Sequence, residues 1–380
     1  MFDIISRTYL IERLIGIGCY VIVVALMYNA LLKYNAKVAK QKLNLCVLAL
    51  VAMAFFFVPD ENKDLYRILE MTKQWPNLSL KEFCNSQMMK SPTAIGYFYY
   101  YLCRRIPFEG ALPAITAALF YMNTFDIIKR LLNNDKLKKD SIAIAFIFFM
   151  AAGSFLEVIS DIRNFLAFSI VVRCFILEWI DKRNILKSIP LYAIGALMHS
   201  AVIPLLIIRL IYYIVCENEM SALKKMLSVS ALTAIVIVTY IKYPTVVTHS
   251  FDKAATFLGN DTYSYSWEYI IGVIQWLAIA SITYKIGKNL KECEEATGLI
   301  HINRMAKVLL ILEAVLIFEY NIFHRFILVS LFVSIPQISF YLSNSKSEKA
   351  INNYKLICFL IFAIVCARGN LCGYKFFILN

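Results

Sequence analysis

The sequence predicts an all-α integral membrane protein, with residues 1–380 forming a single transmembrane domain. Of the 380 residues, 60% are hydrophobic and only 17% are charged, and the mean hydropathy is +0.64. A water-soluble globule does not have this composition. The 27 Phe and 23 Tyr require burial, while 12 Gly and 9 Pro are too few for a disordered chain. Lipid is therefore the expected solvent for most of the chain.

Apolar segments that suit membrane helices recur along the whole chain. Backbone amides cannot stay unpaired in hydrocarbon, so each segment is predicted to be a helix, and about 20 residues cross a bilayer. The predicted spans lie near residues 14–32, 43–58, 111–128, 141–158, 164–180, 187–200, 201–216, 226–242, 267–286, 307–320, 325–342 and 355–371. Pro190 and Pro204 interrupt the two short segments that meet at His199. Those segments form a broken hairpin or one bent helix, so the sequence predicts about twelve spans or two fewer.

The net charge of +13 is predicted to report membrane orientation. In a soluble protein such an excess would suggest a nucleic-acid partner. Here more than half of the lysines and arginines fall in short loops between spans, beginning with residues 33–42 and 129–140. Short cytoplasmic loops retain positive charge, so these loops are predicted to face the cytoplasm. No nucleic-acid partner is expected.

This orientation places both termini and two long loops, residues 59–110 and 243–266, on the outer side. Residues 93–103 are apolar and aromatic. A full crossing there would move the lysine-rich loop 129–140 outside. We therefore expect a re-entrant or interfacial helix, with its tyrosines at the level of the lipid headgroups.

Most ionisable residues near helix ends are predicted to gather at this outer surface. Their position is informative because a charge at the bilayer centre costs roughly 2.5–3.5 kcal/mol. They fall into four groups: Glu157, Asp161 and Arg163; Glu319, His324 and Arg325; His199; and Asp60, Glu61, Asp64, Tyr66 and Arg67. Separate hairpins would thus bring arginine, histidine and carboxylates to one depth.

Arginine and histidine at one depth suit the chemistry of a phosphorylated leaving group. The planar guanidinium group of arginine donates paired hydrogen bonds to phosphate, and two arginines can bind a pyrophosphate between them. A histidine or carboxylate beside them can take a proton from an attacking hydroxyl. Ordinary interpretations also exist. Arg163 can extend to the interface, the acids can be counter-ions for the arginines, and His199 can satisfy backbone groups at a helix break.

Five short motifs follow one another in a recognisable order. They are Asp64-Leu65-Tyr66, Ser91-Pro92-Thr93-Ala94-Ile95-Gly96-Tyr97, Ile162-Arg163-Asn164-Phe165-Leu166-Ala167, the segment from Ala193 to His199, Ser200 and Ala201, and Phe323-His324-Arg325-Phe326. Together they resemble the EpsG-like branch of Wzy-type polysaccharide polymerases, from the first basic loop to about residue 210 and more weakly over 320–342. The chain departs from the family pattern at residues 58–63, where the family has Arg-x-Gly, and at Ser91, where it has Glu.

The resemblance implies a GT-C-like glycosyltransferase of the bacterial inner membrane that makes O-antigen or exopolysaccharide. The growing glycan would pass, with inversion, from undecaprenyl pyrophosphate to a hydroxyl of an incoming lipid-linked repeat unit on the periplasmic face. The implied roles are pyrophosphate binding by Arg163, Arg325 and Arg67, a base at His324 or, second, His199, and support from Asp64, Tyr66, Glu157, Asp161 and Glu319. No carboxylate cluster demands a metal, so we expect metal-independent transfer without a cofactor. Membrane lipid, a chain-length regulator and a flippase of the same pathway are expected partners.

Two other functions fit the same composition. An O-antigen ligase has related architecture, although the chain lacks a very large outer loop between late spans. A flippase of lipid-linked oligosaccharide, or another transporter, should place polar groups along a central route through the membrane. A cavity in the inner half of the membrane region that carries as much charge as the outer surface would favour transport.

Overall fold

The fold is described from a computed structural model. It covers residues 2–59, 61, 64–88, 91, 93–153, 155–217, 221, 230, 267–289, 297–317, 319–345 and 348–368. At a few helix ends, the longest of them 2–13 and 361–368, only the backbone is described. The predicted span 226–242 except residue 230, the predicted outer loop 243–266, Asp60 and Pro92 lie outside the described residues.

The described residues form fifteen α-helices and no sheet. The first eight are α1 (Phe2–Lys33), α2 (Ala36–Phe55), α3 (Asp64–Met71), α4 (Leu80–Phe83), α5 (Ala94–Arg104), α6 (Ala111–Leu131), α7 (Lys139–Ala152) and α8 (Phe155–Ser160). The others are α9 (Ile162–Ile180), α10 (Ile189–Met198), α11 (Val202–Tyr212), α12 (Trp267–Asn289), α13 (Thr297–Leu316), α14 (Tyr320–Asn344) and α15 (Glu348–Arg368). The all-α prediction is therefore confirmed for the described part of the chain.

Five helical segments are long and apolar enough to cross a membrane. They are Leu14–Lys33 in α1, Ala36–Phe55, Ala111–Leu131, Tyr269–Lys288 in α12 and Ile322–Asn344 in α14. Large apolar side chains such as Leu26, Leu48 and Leu277 are more than half exposed on these helices. Exposure of this kind is unfavourable in water but not in lipid, so these faces suit a protein embedded in a membrane.

Several predicted spans are shorter than a bilayer, so the count of about twelve is not confirmed. The helices α7, α10 and α11 have 14, 10 and 11 residues. They rise about 21, 15 and 16 Å, against a hydrocarbon core about 30 Å thick. The segment near His199 is broken, because that residue has extended backbone (φ −153°, ψ 128°) where α10 ends.

The centre of the packed helices is α7, in which every residue from 141 to 152 is buried. It packs against α1, α14 and α15, while α9 packs against α6, α10 and α14. The hydroxyl of Tyr20 donates to the carbonyl oxygen of Met150 at 2.8 Å and so ties α1 to the end of α7. The short helix α8 packs against α6 and α9.

Aromatic contacts join the segment 64–88 to α5. A capping box begins α4: Ser79 Oγ accepts from the Glu82 amide, and the Glu82 carboxylate accepts from the Ser79 amide. Phe83 then stacks on Tyr101, with ring centroids 4.2 Å apart, and Trp75 stacks on Tyr97 at 5.7 Å. These contacts pack α5 against the segment 64–88.

The helix α5 has 11 residues and rises about 16 Å, a length that suits a re-entrant or interfacial helix. Two of the tyrosines that were predicted to lie at headgroup level are covered by protein. Tyr100 and Tyr101 are buried in protein, at 1% and 2% exposure. The cause is that α5 packs against α6 and α10, which covers this face of the helix.

Candidate active site

Three helix termini bring a histidine, two carboxylates and two arginines together. Glu157 lies on α8, Asp161 and Arg163 lie at the start of α9, and His324 and Arg325 lie at the start of α14. His324 Nε2 is 2.7 Å from Glu157 Oε2, although 167 residues separate them in the chain. We call these five residues the polar cluster: Glu157, Asp161, Arg163, His324 and Arg325.

Asp161 couples the two halves of the polar cluster. It lies in the turn between α8 and α9, accepts a hydrogen bond from the side-chain amide of Asn164, and is within electrostatic range of Arg325, Glu157 and Asp64. Burial is the largest influence and raises the pKa of the Asp161 carboxyl above its ordinary value, while Arg325 opposes that rise. The carboxyl therefore holds a proton more readily than a free one.

Arg163 lies against two tyrosine rings of α5. Its guanidinium carbon is 5.5 Å from the Tyr97 ring centroid and 5.7 Å from that of Tyr100, and its Nη1 donates to Thr93 Oγ1 at 3.2 Å. Both rings stabilise the cation without neutralising it. Among the described residues, Arg163 forms no ion pair with a carboxylate. Its charge thus remains to be matched by an anion.

Gly96 makes this arrangement possible. A Cβ at position 96 would lie 2.9 Å from Arg163 Cδ and 2.7 Å from the carbonyl oxygen of Met198. Such approaches do not occur in real structures, so only glycine allows α5 to pack this closely on α9 and α10. The end of α10, where His199 lies, is thereby brought near Arg163.

Buried polar atoms without protein partners surround the start of α9. Within the described part of the chain, Tyr100 Oη, Asn164 Oδ1 and Ser160 Oγ have no hydrogen-bond partner. Leaving such an atom unsatisfied costs about 1–3 kcal/mol. Native proteins rarely keep several together unless water or a ligand satisfies them. These atoms indicate a place where polar groups of a ligand can bind.

The other predicted site residues lie around the polar cluster at different distances. Asp64 is within electrostatic range of Asp161 and Tyr100. Arg67 forms an ion pair with Asp64, and its side chain is 70% exposed, so the structure does not bring it into the cluster. Tyr66 is half-buried on the same helix, α3.

His199 and Glu319 occupy helix boundaries. His199 ends α10, and its Nδ1 accepts a hydrogen bond from the Ala201 amide at 3.1 Å. Glu319 precedes α14, where its carbonyl oxygen accepts from the amides of Ile322 and Phe323. Both residues therefore help to shape the chain where these helices begin or end.

Sequence reasoning assigned no role in the candidate site to Thr93, Gly96, Tyr100 or Asn164. The signal was present, because all but Tyr100 fall inside the motifs that carry the family resemblance. Their roles depend on contacts between α5, α9 and α10, which local sequence does not reveal.

A second charged group lies at the other end of α9, and the sequence analysis did not identify it. Arg209 of α11 is 2% exposed, and its Nη2 donates to Glu178 at 2.7 Å and to Glu217 at 3.0 Å. Trp179 Nε1 donates to Glu217 at 2.7 Å, and the guanidinium carbon of Arg209 is 5.0 Å from the Trp179 ring centroid. We call Glu178, Trp179, Arg209 and Glu217 the paired cluster. The expectation that charged groups concentrate at one face is therefore wrong for these helices.

Comparison with known proteins identifies the family. No curated protein and no solved structure matches the chain. The model of the EpsG family matches residues 82–376, well over half of the 380 residues, and includes both charged clusters. This match agrees with the resemblance carried by the motifs and suggests a polysaccharide polymerase-like function. The chain belongs to the EpsG family.

Proposed function

We propose that this protein polymerises lipid-linked polysaccharide repeat units. The growing glycan passes from undecaprenyl pyrophosphate to a hydroxyl of an incoming undecaprenyl-pyrophosphate-linked repeat, with inversion and without a metal. The GT-C-like architecture and the position of the site on the periplasmic face of the inner membrane belong to the same proposal. The observation that carries it is Arg163, which is held by aromatic rings and pairs with no carboxylate among the described residues. Arg163 follows Asp161 at the start of α9, and Asp161 is within electrostatic range of the paired His324 and Glu157.

Arg163 and Arg325 are the proposed binding groups for the pyrophosphate. When the bond between the anomeric carbon and the phosphate oxygen breaks, negative charge develops on the departing pyrophosphate. Fixed cations next to that charge lower the barrier, and this is often the largest catalytic contribution of a protein. The rings of Tyr97 and Tyr100 hold the Arg163 guanidinium in place before the substrate arrives, so little ordering is needed.

His324 is the proposed base. The acceptor hydroxyl attacks the anomeric carbon, and its proton passes to the imidazole as the new C–O bond forms. Glu157, 2.7 Å from His324 Nε2, fixes the orientation of the ring and stabilises the imidazolium that results. His199 is the alternative base, because α10 ends near Arg163. Asp64, Tyr66, Arg67, Asp161 and Glu319 would support the substrate or the arginines.

The paired cluster bears on the rival functions. A transporter needs polar groups that line a route for its cargo. The charged residues of the paired cluster instead neutralise one another, with Arg209 bound to Glu178 and Glu217. This closed arrangement favours a site at one face over a path through the protein. An O-antigen ligase would use the same chemistry with a different acceptor, so the acceptor must be tested directly.

The test is incubation of the purified protein in lipid vesicles with synthetic undecaprenyl-pyrophosphate-linked repeat units. We expect a ladder of lengthening glycans from wild type and from Lys73→Ala, an exposed control in the segment 64–88, and no ladder from Arg325→Ala. Movement of lipid-linked sugar across the vesicles without a ladder would overturn the proposal in favour of transport. Transfer only to lipid A core would overturn it in favour of a ligase.

A further inference from the structure

A crevice of about 240 Å³ opens between α12 and α15, far from the polar cluster. Its floor includes Phe148 of α7 and Tyr341 of α14. Tyr341 lies 17 residues after His324 on the same helix, about 25 Å along the axis. The crevice is therefore at the lysine-rich end of the helices, which the sequence predicts to be cytoplasmic.

Polarity changes along the crevice from its outer end to its interior. The polar lining residues Tyr341, Lys285, Asn353 and Tyr354 lie three to six residues from the ends of their helices, or about 5–9 Å. The small hydroxyl of Ser281 lies deeper, eight residues or about 12 Å from the end of α12. The apolar lining residues lie seven to eleven residues from those ends, or about 10–17 Å, and are Ile282, Ile357, Phe148 and Ala278. A phospholipid has the same order of parts, with a polar headgroup above an apolar chain.

The charge at the polar end is positive. Among the lining residues that the structure describes, Lys285 is the cation and none is acidic, and Lys285 Nζ is 5.7 Å from the Tyr354 ring centroid. Lys288, also exposed, follows one turn closer to the end of α12. A lysine beside a tyrosine at headgroup depth suits a lipid phosphate, because the ammonium is a compact donor and the hydroxyl can add a hydrogen bond.

The walls of the crevice continue into surfaces that face lipid. Leu277 and Tyr284 on α12 and Leu356 and Leu360 on α15 are more than half exposed. An acyl chain can therefore enter from the side without crossing a polar surface. A soluble phosphate compound would leave the apolar interior between Phe148 and Ile357 unfilled.

We propose that this crevice binds one anionic phospholipid, with its phosphate at Lys285 and part of an acyl chain between α12 and α15. The bound lipid fills the space between these helices and joins them through apolar contacts. This site is separate from the proposed active site and does not depend on the polymerase assignment.

Native mass spectrometry of the purified full-length protein tests the proposal. The probes are phosphatidylglycerol, phosphatidylethanolamine with the same acyl chains, and glycerol phosphate. We expect phosphatidylglycerol to bind most tightly and glycerol phosphate not to bind. Lys285→Gln should weaken phosphatidylglycerol binding about fivefold, the usual contribution of one lysine near an anionic lipid.

Three variants make the result decisive. Lys285→Arg keeps the charge and should keep binding, and Ile357→Trp should block the chain and abolish it. Lys307→Gln makes the same charge change on α13, where Lys307 packs against Gly287 outside the crevice, and should bind like wild type. Equal binding by Ile357→Trp, an equal loss in Lys307→Gln, or equal binding of glycerol phosphate would each overturn the proposal.

Discussion

Arg163 and Arg209 differ in what surrounds their charge, although α9 takes part in both sites. Arg163 begins α9 and lies against tyrosine rings and Thr93. Arg209 is bound to Glu178 in the last turn of α9 and to Glu217. An arginine neutralised by carboxylates contributes to structure. Arg163, whose partners among the described residues are rings and a hydroxyl, retains its capacity for an anion. We expect the paired cluster to contribute to stability, and we propose that the polar cluster carries the chemistry.

The largest expected effect concerns stability at the paired cluster. Arg209→Ala leaves Glu178 buried without its cation, and breaking a buried pair in this way costs about 3–5 kcal/mol of unfolding free energy. Thermal unfolding in detergent measures the loss. Arg130→Ala is the matched control, since Arg130 is 44% exposed and pairs with Asp126 and Asp181 at the surface. It should cost about 1 kcal/mol or less. Equal losses would remove the distinction between a buried and an exposed arginine.

The second effect concerns catalysis at the polar cluster. Arg163→Ala should lower the polymerisation rate roughly 100- to 1,000-fold, the usual loss when one fixed group that stabilises the transition state is removed. Initial rates of ladder formation measure it. Thermal stability should change far less than in Arg209→Ala. A variant with normal rates and a large stability loss would make Arg163 a structural residue like Arg209.

A smaller effect tests the packing that positions Arg163. Gly96→Ala places a methyl group within 3 Å of Arg163 Cδ and Met198 O, which forces α5 or the arginine to move and costs about 1–3 kcal/mol. The polymerisation rate should fall several-fold. Gly272→Ala is the control, because its Cβ would meet Phe323 at an ordinary 3.4 Å. If both variants behave alike, the close approach of α5 has no bearing on the site.

The smallest effect concerns Asp161. Since its pKa is raised in the folded protein, the folded state binds the proton more tightly than the unfolded state. Stability from this group is present at low pH and is lost as pH rises through the folded pKa. Asp161→Asn removes the free-energy cost of ionising this buried carboxyl. The variant should therefore unfold at a slightly higher temperature than wild type at pH 7. The advantage should shrink towards pH 4, and a constant difference across this range would contradict the assignment.

Much of the polar cluster was predictable because its residues sit where apolar segments end. Glu157, Asp161, Arg163, His324 and Arg325 all fall at predicted hairpin turns. Charges are costly in hydrocarbon, so charged residues at the ends of apolar segments are conspicuous in a hydropathy profile. Arg209 also gave a signal, because it interrupts the otherwise apolar Val202–Tyr212, but the segment was assigned to a span and the partner Glu178 lies on a different helix.

By itself, the sequence determined that lipid is the expected surroundings of most of the chain, that the fold is helical, and where the charges lie relative to helix ends. Composition and the need to pair backbone groups in lipid are sufficient for these conclusions. Only the tertiary structure decided which charges meet. His324 reaches Glu157 across 167 residues and Arg209 reaches Glu178 across 31. Such pairings depend on which helix faces pack together, and helical periodicity along one segment does not determine its neighbour.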